Sequence, residues 1–156
     1  MRLARPLLVV GFGNPLMTDD GVGCAVLERL RLSGLSEGVR AEEGGDDSLR
    51  LRAIWGGEPE VWLVDALSAG ATPGTIHRLG HEALFAMRQQ YVSAHQLSLP
   101  ESLRWLNLAY PEMRCVRYRM WGIEPERLAM GERLTAAVMR AAIAVTREIR
   151  RFLHTA

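Results

Sequence analysis

The sequence has little of the chemistry that marks secreted, membrane-bound or strongly charged proteins. Its two cysteines, Cys24 and Cys115, form no C-x-x-C pair and do not provide a disulfide framework. No apolar run reaches about 18 residues, and no signal peptide with a cleavage site precedes the first strand. The formal net charge of +1 gives no strong attraction to nucleic acid or to a membrane. We therefore expect a cytoplasmic protein that binds neither.

The composition that remains is that of an ordinary globular domain. Hydrophobic residues make up 48% and charged residues 24% of the 156 positions, which is enough for one real core. We expect residues 1–156 to form a single domain, because no repeat or low-complexity linker divides them. Strand and helix patterns alternate along most of the chain, which predicts an α/β fold with helices on both faces of a mainly parallel, five-stranded sheet.

A glycine-rich turn after the first predicted strand carries two adjacent acids. The apolar run Leu7–Val10 indicates a buried strand, and a helical stripe begins at Val22. Between them lie Asp19 and Asp20, where open α/β sheets place their ligand sites. We predict that one acid caps the helix and that the other is free for function. The glycine spacing fits neither a dinucleotide-binding turn nor a P-loop.

Two further residues can join Asp20 in one site. Asp65 ends the central apolar strand, where a carboxylate is costly to bury unless it is paired or bound. If the two strands are neighbours, Asp20 and Asp65 meet at one edge of the sheet, and His95, before a later helix, can reach them. Two carboxylates and an imidazole suit an ion such as Ni or Zn. A capping Asp, an Asp in a turn and a surface His remain the alternative.

Short segments across the chain, taken in order, resemble those of the hydrogenase maturation proteases. These enzymes process the large subunit of nickel-iron hydrogenases. The matching segments are Gly11-Phe12-Gly13-Asn14, Asp19-Asp20-Gly21-Val22-Gly23, Gly44-Gly45, Val64-Asp65-Ala66, Pro73-Gly74-Thr75, Ser93-Ala94-His95-Gln96-Leu97 and Gly122-Ile123-Glu124-Pro125.

The resemblance implies a fold, an activity and a metal site. The family fold is a twisted, five-stranded mixed sheet between helices. Its enzymes remove a C-terminal extension from the large-subunit precursor after nickel has entered it. The family's metal-contacting positions fall on Asp20, Asp65 and His95, which would recognise nickel in the precursor; another divalent ion such as Zn is the alternative in the isolated protein. Either carboxylate could also act as general base.

The resemblance also implies a substrate-binding segment at Gly44 and Gly45. The family often has Thr after the two glycines, whereas this chain has Asp46 and Asp47. We predict that Asp46 caps the short helix that follows and contributes to precursor choice.

Two other functions stay open at this stage. The segment Gly11–Pro15 also resembles the opening of bacterial peptidyl-tRNA hydrolase, but no His follows it closely, and the low net charge disfavours a tRNA partner. A non-catalytic chaperone that senses metal in the precursor is the third possibility. The favoured prediction is a monomeric endopeptidase whose partner is a hydrogenase large-subunit precursor.

Overall fold

A mixed, mainly parallel sheet forms the centre of the protein. The computed structural model describes residues 5–88 and 97–155. Within these ranges every strand pairing is parallel except the one at one edge. This arrangement confirms the predicted sheet. In their order across it, the strands, numbered along the chain, are β2 (Val39–Gly45), β1 (Leu7–Phe12), β3 (Glu60–Ala66), β5 (Arg117–Ile123) and β4 (Ile76–Leu79).

Helices cover both faces of this sheet, which confirms the three-layer α/β fold. Alternate side chains of each strand point to opposite faces, so that Val9 enters one core cluster and Val10 enters the other. The first face is covered by α1 (Val22–Leu32) and α5 (Ala136–Thr155), and the second by α2 (Leu51–Ile54), α3 (His81–Ala86) and α4 (Leu99–Ala109).

The start of α4 is defined by a capping box. Ser98 is the N-cap, and its side chain accepts a hydrogen bond from the Glu101 N–H while the Glu101 carboxylate accepts one from the Ser98 N–H. Pro100 lies in the first turn, where its missing N–H costs nothing. This capping box fixes the helix start beside the carboxyl ends of the strands.

The longest helix, α5, packs one apolar stripe on the sheet and on α1. Its buried residues include Val138, Ala142, Val145 and Ile149, which recur at helical spacing. The remaining face is largely charged. In the described parts of the chain, no helix combines the length and the apolar character needed to span a bilayer.

The predicted cap of the second helical segment is wrong by one residue. Asp47, not Asp46, is the N-cap of the 3-10 turn Ser48–Arg50 that leads into α2, and its carboxylate accepts from the Leu49 N–H at 3.0 Å. A cap must immediately precede the first helical residue, and this helix begins at Ser48. Asp46 is thereby left exposed and free of any capping role.

The neighbouring acids should consequently differ in their effect on stability. We expect Asp47→Ala to lower the free energy of unfolding by about 0.5–2 kcal/mol, because it removes a cap. Asp46→Ala should change it by less than about 0.5 kcal/mol, as for most exposed positions. Urea unfolding of both variants measures the difference, and equal losses would contradict the assignment of the cap.

Candidate functional site

The turn after β1 is too tight for a side chain at Gly13. Gly13 has φ of 117°, and a Cβ there would lie 1.8 Å from the carbonyl oxygen of Asp20. The N–H of Asn14 donates to Asp20 Oδ2 at 2.8 Å across this turn. The glycine and this hydrogen bond place the Asp20 carboxylate just beyond the carboxyl end of β1.

The two adjacent acids of the turn have different functions, and neither caps a helix. Asp19 is fully buried, and its carboxylate accepts from the backbone N–H groups of Glu126, Arg127 and Thr135 and from the Thr135 hydroxyl, all at 2.8–2.9 Å. Burial, the largest influence, raises the pKa of Asp19, but these hydrogen bonds together hold it below its ordinary value. The predicted cap is wrong because Asp19 anchors a distant loop instead.

Asp65 lies in the neighbouring strand, where its charge is unfavourable. The strands β1 and β3 pair directly, with Gly11 opposite Val64. The Asp65 carboxylate accepts from the Ala66 N–H at 2.8 Å. Its burial and, secondarily, the negative charge of Asp20 raise the pKa of Asp65 to about 7. At neutral pH this group is therefore poised between its acid and its carboxylate forms.

A cavity of about 540 Å³ brings these groups together at the carboxyl edge of the sheet. Asp20 and Asp65 both line it, as the sequence predicted for neighbouring strands. Gly45 and Asp46 line it from the end of β2. Gly44 does not line it; a Cβ at this position would lie 2.3 Å from ring atoms of Phe12, so Gly44 lets that ring pack against the strand.

The third predicted metal ligand, His95, lies outside the described residues. The chain is described again from Leu97, and Leu97 and Ser98 both line the cavity that contains Asp20 and Asp65. Within 5–88 and 97–155, no group of three or more His, Cys, Asp or Glu side chains is placed to hold a metal ion. The predicted ligands that the structure describes there are the carboxylates of Asp20 and Asp65, which suit a divalent cation and leave further ligands to be supplied.

The thiol of Cys24 is near this region but is poorly suited to nucleophilic attack. Burial, followed by the negative charges of Glu43, Asp20 and Asp65, raises its pKa to about 11. The thiol, not the thiolate, is therefore present near neutral pH. Its Sγ lies 3.7 Å from the Gly13 carbonyl oxygen and helps to hold the turn.

Glu124 is a buried acid to which the sequence analysis assigned no role of its own. It follows β5, and its carboxylate accepts from the N–H groups of Ala69 and Gly70 and contacts His77 Nε2 at 2.9 Å. Glu124 thus fixes the loop that leaves β3 just after Asp65. The motif around Glu124 marked the segment as important, but partners 47–55 residues away leave no local signal.

Comparison with known proteins shows the family to which this chain is related. Residues 24–150 match the family "Hydrogenase maturation protease". The hydrogenase 2 maturation protease of Escherichia coli is 29% identical over 136 residues, which are 85% of this chain and 80% of that protein.

Solved structures show the same fold. The E. coli hydrogenase maturating endopeptidase HybD has a TM-score of 0.79 and 26% identity, with 96% of this chain and 93% of that one covered. The nickel-iron hydrogenase maturation protease HybD of Thermococcus kodakarensis has a TM-score of 0.78 and 24% identity, with 95% and 99% covered. Because the family match extends over most of the sequence, this chain belongs to the hydrogenase maturation protease family.

Proposed function

We propose that this chain is the endopeptidase that removes the C-terminal extension of a nickel-iron hydrogenase large-subunit precursor after nickel insertion. Family membership supports the peptidase activity and the class of partner. The observation that carries the proposal for the site is the convergence of Asp20 and Asp65 on one open cavity. Two carboxylates that line one cavity repel each other when both are charged, so the cavity suits a partner that brings a cation.

In this proposal, the nickel belongs to the precursor and is recognised by Asp20, Asp65 and His95. Carboxylate oxygen and imidazole nitrogen are suitable donors for Ni, and also for Zn, which could occupy the site in the isolated protein. Asp65, with a pKa of about 7, loses its proton when a cation arrives. The metal would then report that the precursor is loaded and would position it for cleavage.

Either carboxylate can also serve the hydrolysis of the peptide bond. A water oxygen attacks the scissile carbonyl carbon while one proton of the water moves to a carboxylate. The resulting carboxylic acid gives this proton to the departing amine as the C–N bond breaks, which restores the carboxylate. Asp65 fits the role of base when it does not bind the metal, because its pKa of about 7 then matches a neutral operating pH. Asp20 fits it when Asp65 is fully occupied as a ligand.

The rim at the end of β2 is the proposed substrate-binding segment. Gly45 and Asp46 face the cavity, while Gly44 allows the close packing beneath them. Asp46 adds a negative charge at the rim, and we assign it a contribution to precursor choice. The Asp46→Ala variant tests this role, since it should fold normally but change the ratio of rates on cognate and non-cognate precursors.

The decisive experiment compares three substrates. The protein, which we take to act as a cytoplasmic monomer, is incubated with nickel-loaded precursor, nickel-free precursor and peptidyl-tRNA, and products are followed by mass. We expect cleavage of the loaded precursor alone. Release of peptide from tRNA with the precursor untouched would favour a peptidyl-tRNA hydrolase, and binding of the loaded precursor without a product would favour a chaperone. Equal cleavage of both precursors would refute recognition of nickel.

A further inference from the structure

Two loops from opposite ends of the sequence are paired beside the cavity. The N–H of Thr18 donates to the Gly131 carbonyl oxygen at 2.8 Å, and the N–H of Gly131 donates to the Leu16 carbonyl oxygen at 2.9 Å. These bonds form a short bridge between Met17 and Gly131. Residues 14–18 and 127–131 therefore form one continuous surface.

The pairing is held rigidly by buried polar groups. Thr18 has φ of 48°, which is rare for a residue with a side chain, and its hydroxyl contacts both the N–H and the carbonyl oxygen of Ala129. The buried Asp19 carboxylate holds the backbone at Glu126 and Arg127. The position of the second loop is thus fixed by the same turn that carries Asp20.

Large apolar side chains project from this rigid surface into solvent. Leu16 is 56%, Leu128 52% and Met130 86% exposed, and we call these three residues the apolar ledge. Leu128 also lines the cavity that holds Asp20. Single exposed apolar residues are common, but a group of three on an anchored loop pair that reaches the edge of a cavity indicates an interaction surface.

We propose that the apolar ledge binds apolar side chains of the hydrogenase precursor that flank the bond to be cleaved. This inference rests on the proposed function, because the occupant must be a polypeptide that enters the cavity. The described cavity wall offers carboxylates for the metal and for catalysis together with apolar side chains, among them Leu67, Leu99 and Leu128. A peptide that enters the cavity therefore meets apolar surface in the wall, and the apolar ledge extends that surface outward. The ledge continues from Leu128 in the wall. A second copy of this chain on the ledge would instead cover that wall and obstruct the cavity.

The test uses the double variant Leu128→Ser/Met130→Ser and a precursor that the wild type cleaves. We expect KM for the nickel-loaded precursor to rise about 10- to 100-fold, while kcat stays within about twofold. The matched control is Leu108→Ser on α4, which removes a leucine that is 67% exposed but does not line the cavity. The kinetics of Leu108→Ser should equal those of the wild type. A second control, Leu128→Met/Met130→Leu, keeps both side chains apolar and should keep the low KM of the wild type.

Other results would overturn the inference in distinguishable ways. A double variant with the KM of the Leu108→Ser control would show that the ledge does not bind precursor. Sedimentation that finds a wild-type dimer, dissociated by the double variant, would assign the ledge to self-association. Failure of the wild type itself to cleave any loaded precursor would refute the proposed function, and that result appears before any ledge variant is made.

Discussion

Asp65→Asn and Asp20→Asn are each expected to reduce processing of the nickel-loaded precursor by at least about a hundredfold. Each change removes a negatively charged donor from the cavity while keeping the shape of the side chain. Loss of a group that acts on the reacting atoms costs several powers of ten in comparable enzymes. The measurement is single-turnover cleavage at a saturating enzyme concentration. His95→Ala should behave in the same way if His95 completes the proposed site.

The control for this prediction is Asp47→Asn. It removes a carboxylate next to the cavity rim but keeps a good N-cap, so it should retain activity and stability. If Asp65→Asn processed the precursor at the wild-type rate, the Asp65 carboxylate would be excluded both as a metal ligand and as the general base.

Thermal stability gives a readout of Asp65 that does not depend on activity. Because folding raises the pKa of Asp65 from 3.8 to about 7, its ionisation favours the unfolded chain increasingly between these two pH values. In metal-free protein, Asp65→Asn should therefore melt above the wild type at pH 8. The difference should diminish as pH falls toward 4. An unchanged difference over this pH range would contradict the assigned origin of the shift.

The second large effect is expected at Asp19, on stability rather than chemistry. Asp19→Ala should lower the free energy of unfolding by roughly 2–4 kcal/mol, because the backbone donors of Glu126, Arg127 and Thr135 lose their common acceptor. Asp19→Asn should lose less, since its amide oxygen still accepts hydrogen bonds. Guanidinium unfolding of the three proteins provides the comparison.

The contribution of Asp19 should also depend on pH in a defined direction. Folding lowers the pKa of Asp19 from 3.8, so its stabilisation is complete above that value and is lost as pH falls through the folded-state pKa. The stability difference between wild type and Asp19→Ala should accordingly shrink under acid conditions. A difference that grows below pH 4 would show that another group dominates.

The parts of the fold that could be predicted from sequence are those with local signals. The continuous apolar runs of β1 and β3 indicate buried parallel strands, and the alternation over 75–79 is typical of an edge or antiparallel strand, which is β4. The start of β5 has no such signal: apolar residues begin at Cys115, but Pro111–Cys115 forms a 3-10 helix and the strand begins at Arg117. Apolar composition does not distinguish the end of such a turn from the start of a strand.

The site was partly predictable for the same reason. Asp65 lies at the end of β3 and Asp20 in the turn that follows the neighbouring β1, so sheet geometry places both at one edge. The sequence could not assign the N-cap to Asp47 over Asp46. Both are aspartates, and either could cap the helix until its first residue is known. The role of Asp19 could not be predicted at all, since its partners lie 107–116 residues further along the chain.

The long sequence separation between Asp19 and Thr135 affects when a newly made chain becomes functional. The turn with Asp20 is anchored through Asp19, whose partner Thr135 is translated 116 residues later. Contacts over so long a stretch of chain form late, because the entropy of the intervening segment must first be lost. A nascent chain that has not yet reached Thr135 can form β1 and α1. It still lacks the hydrogen bonds between Asp19 and Thr135 that hold the turn beside the cavity. A nascent chain should thus become competent as a protease only after Thr135 has been translated.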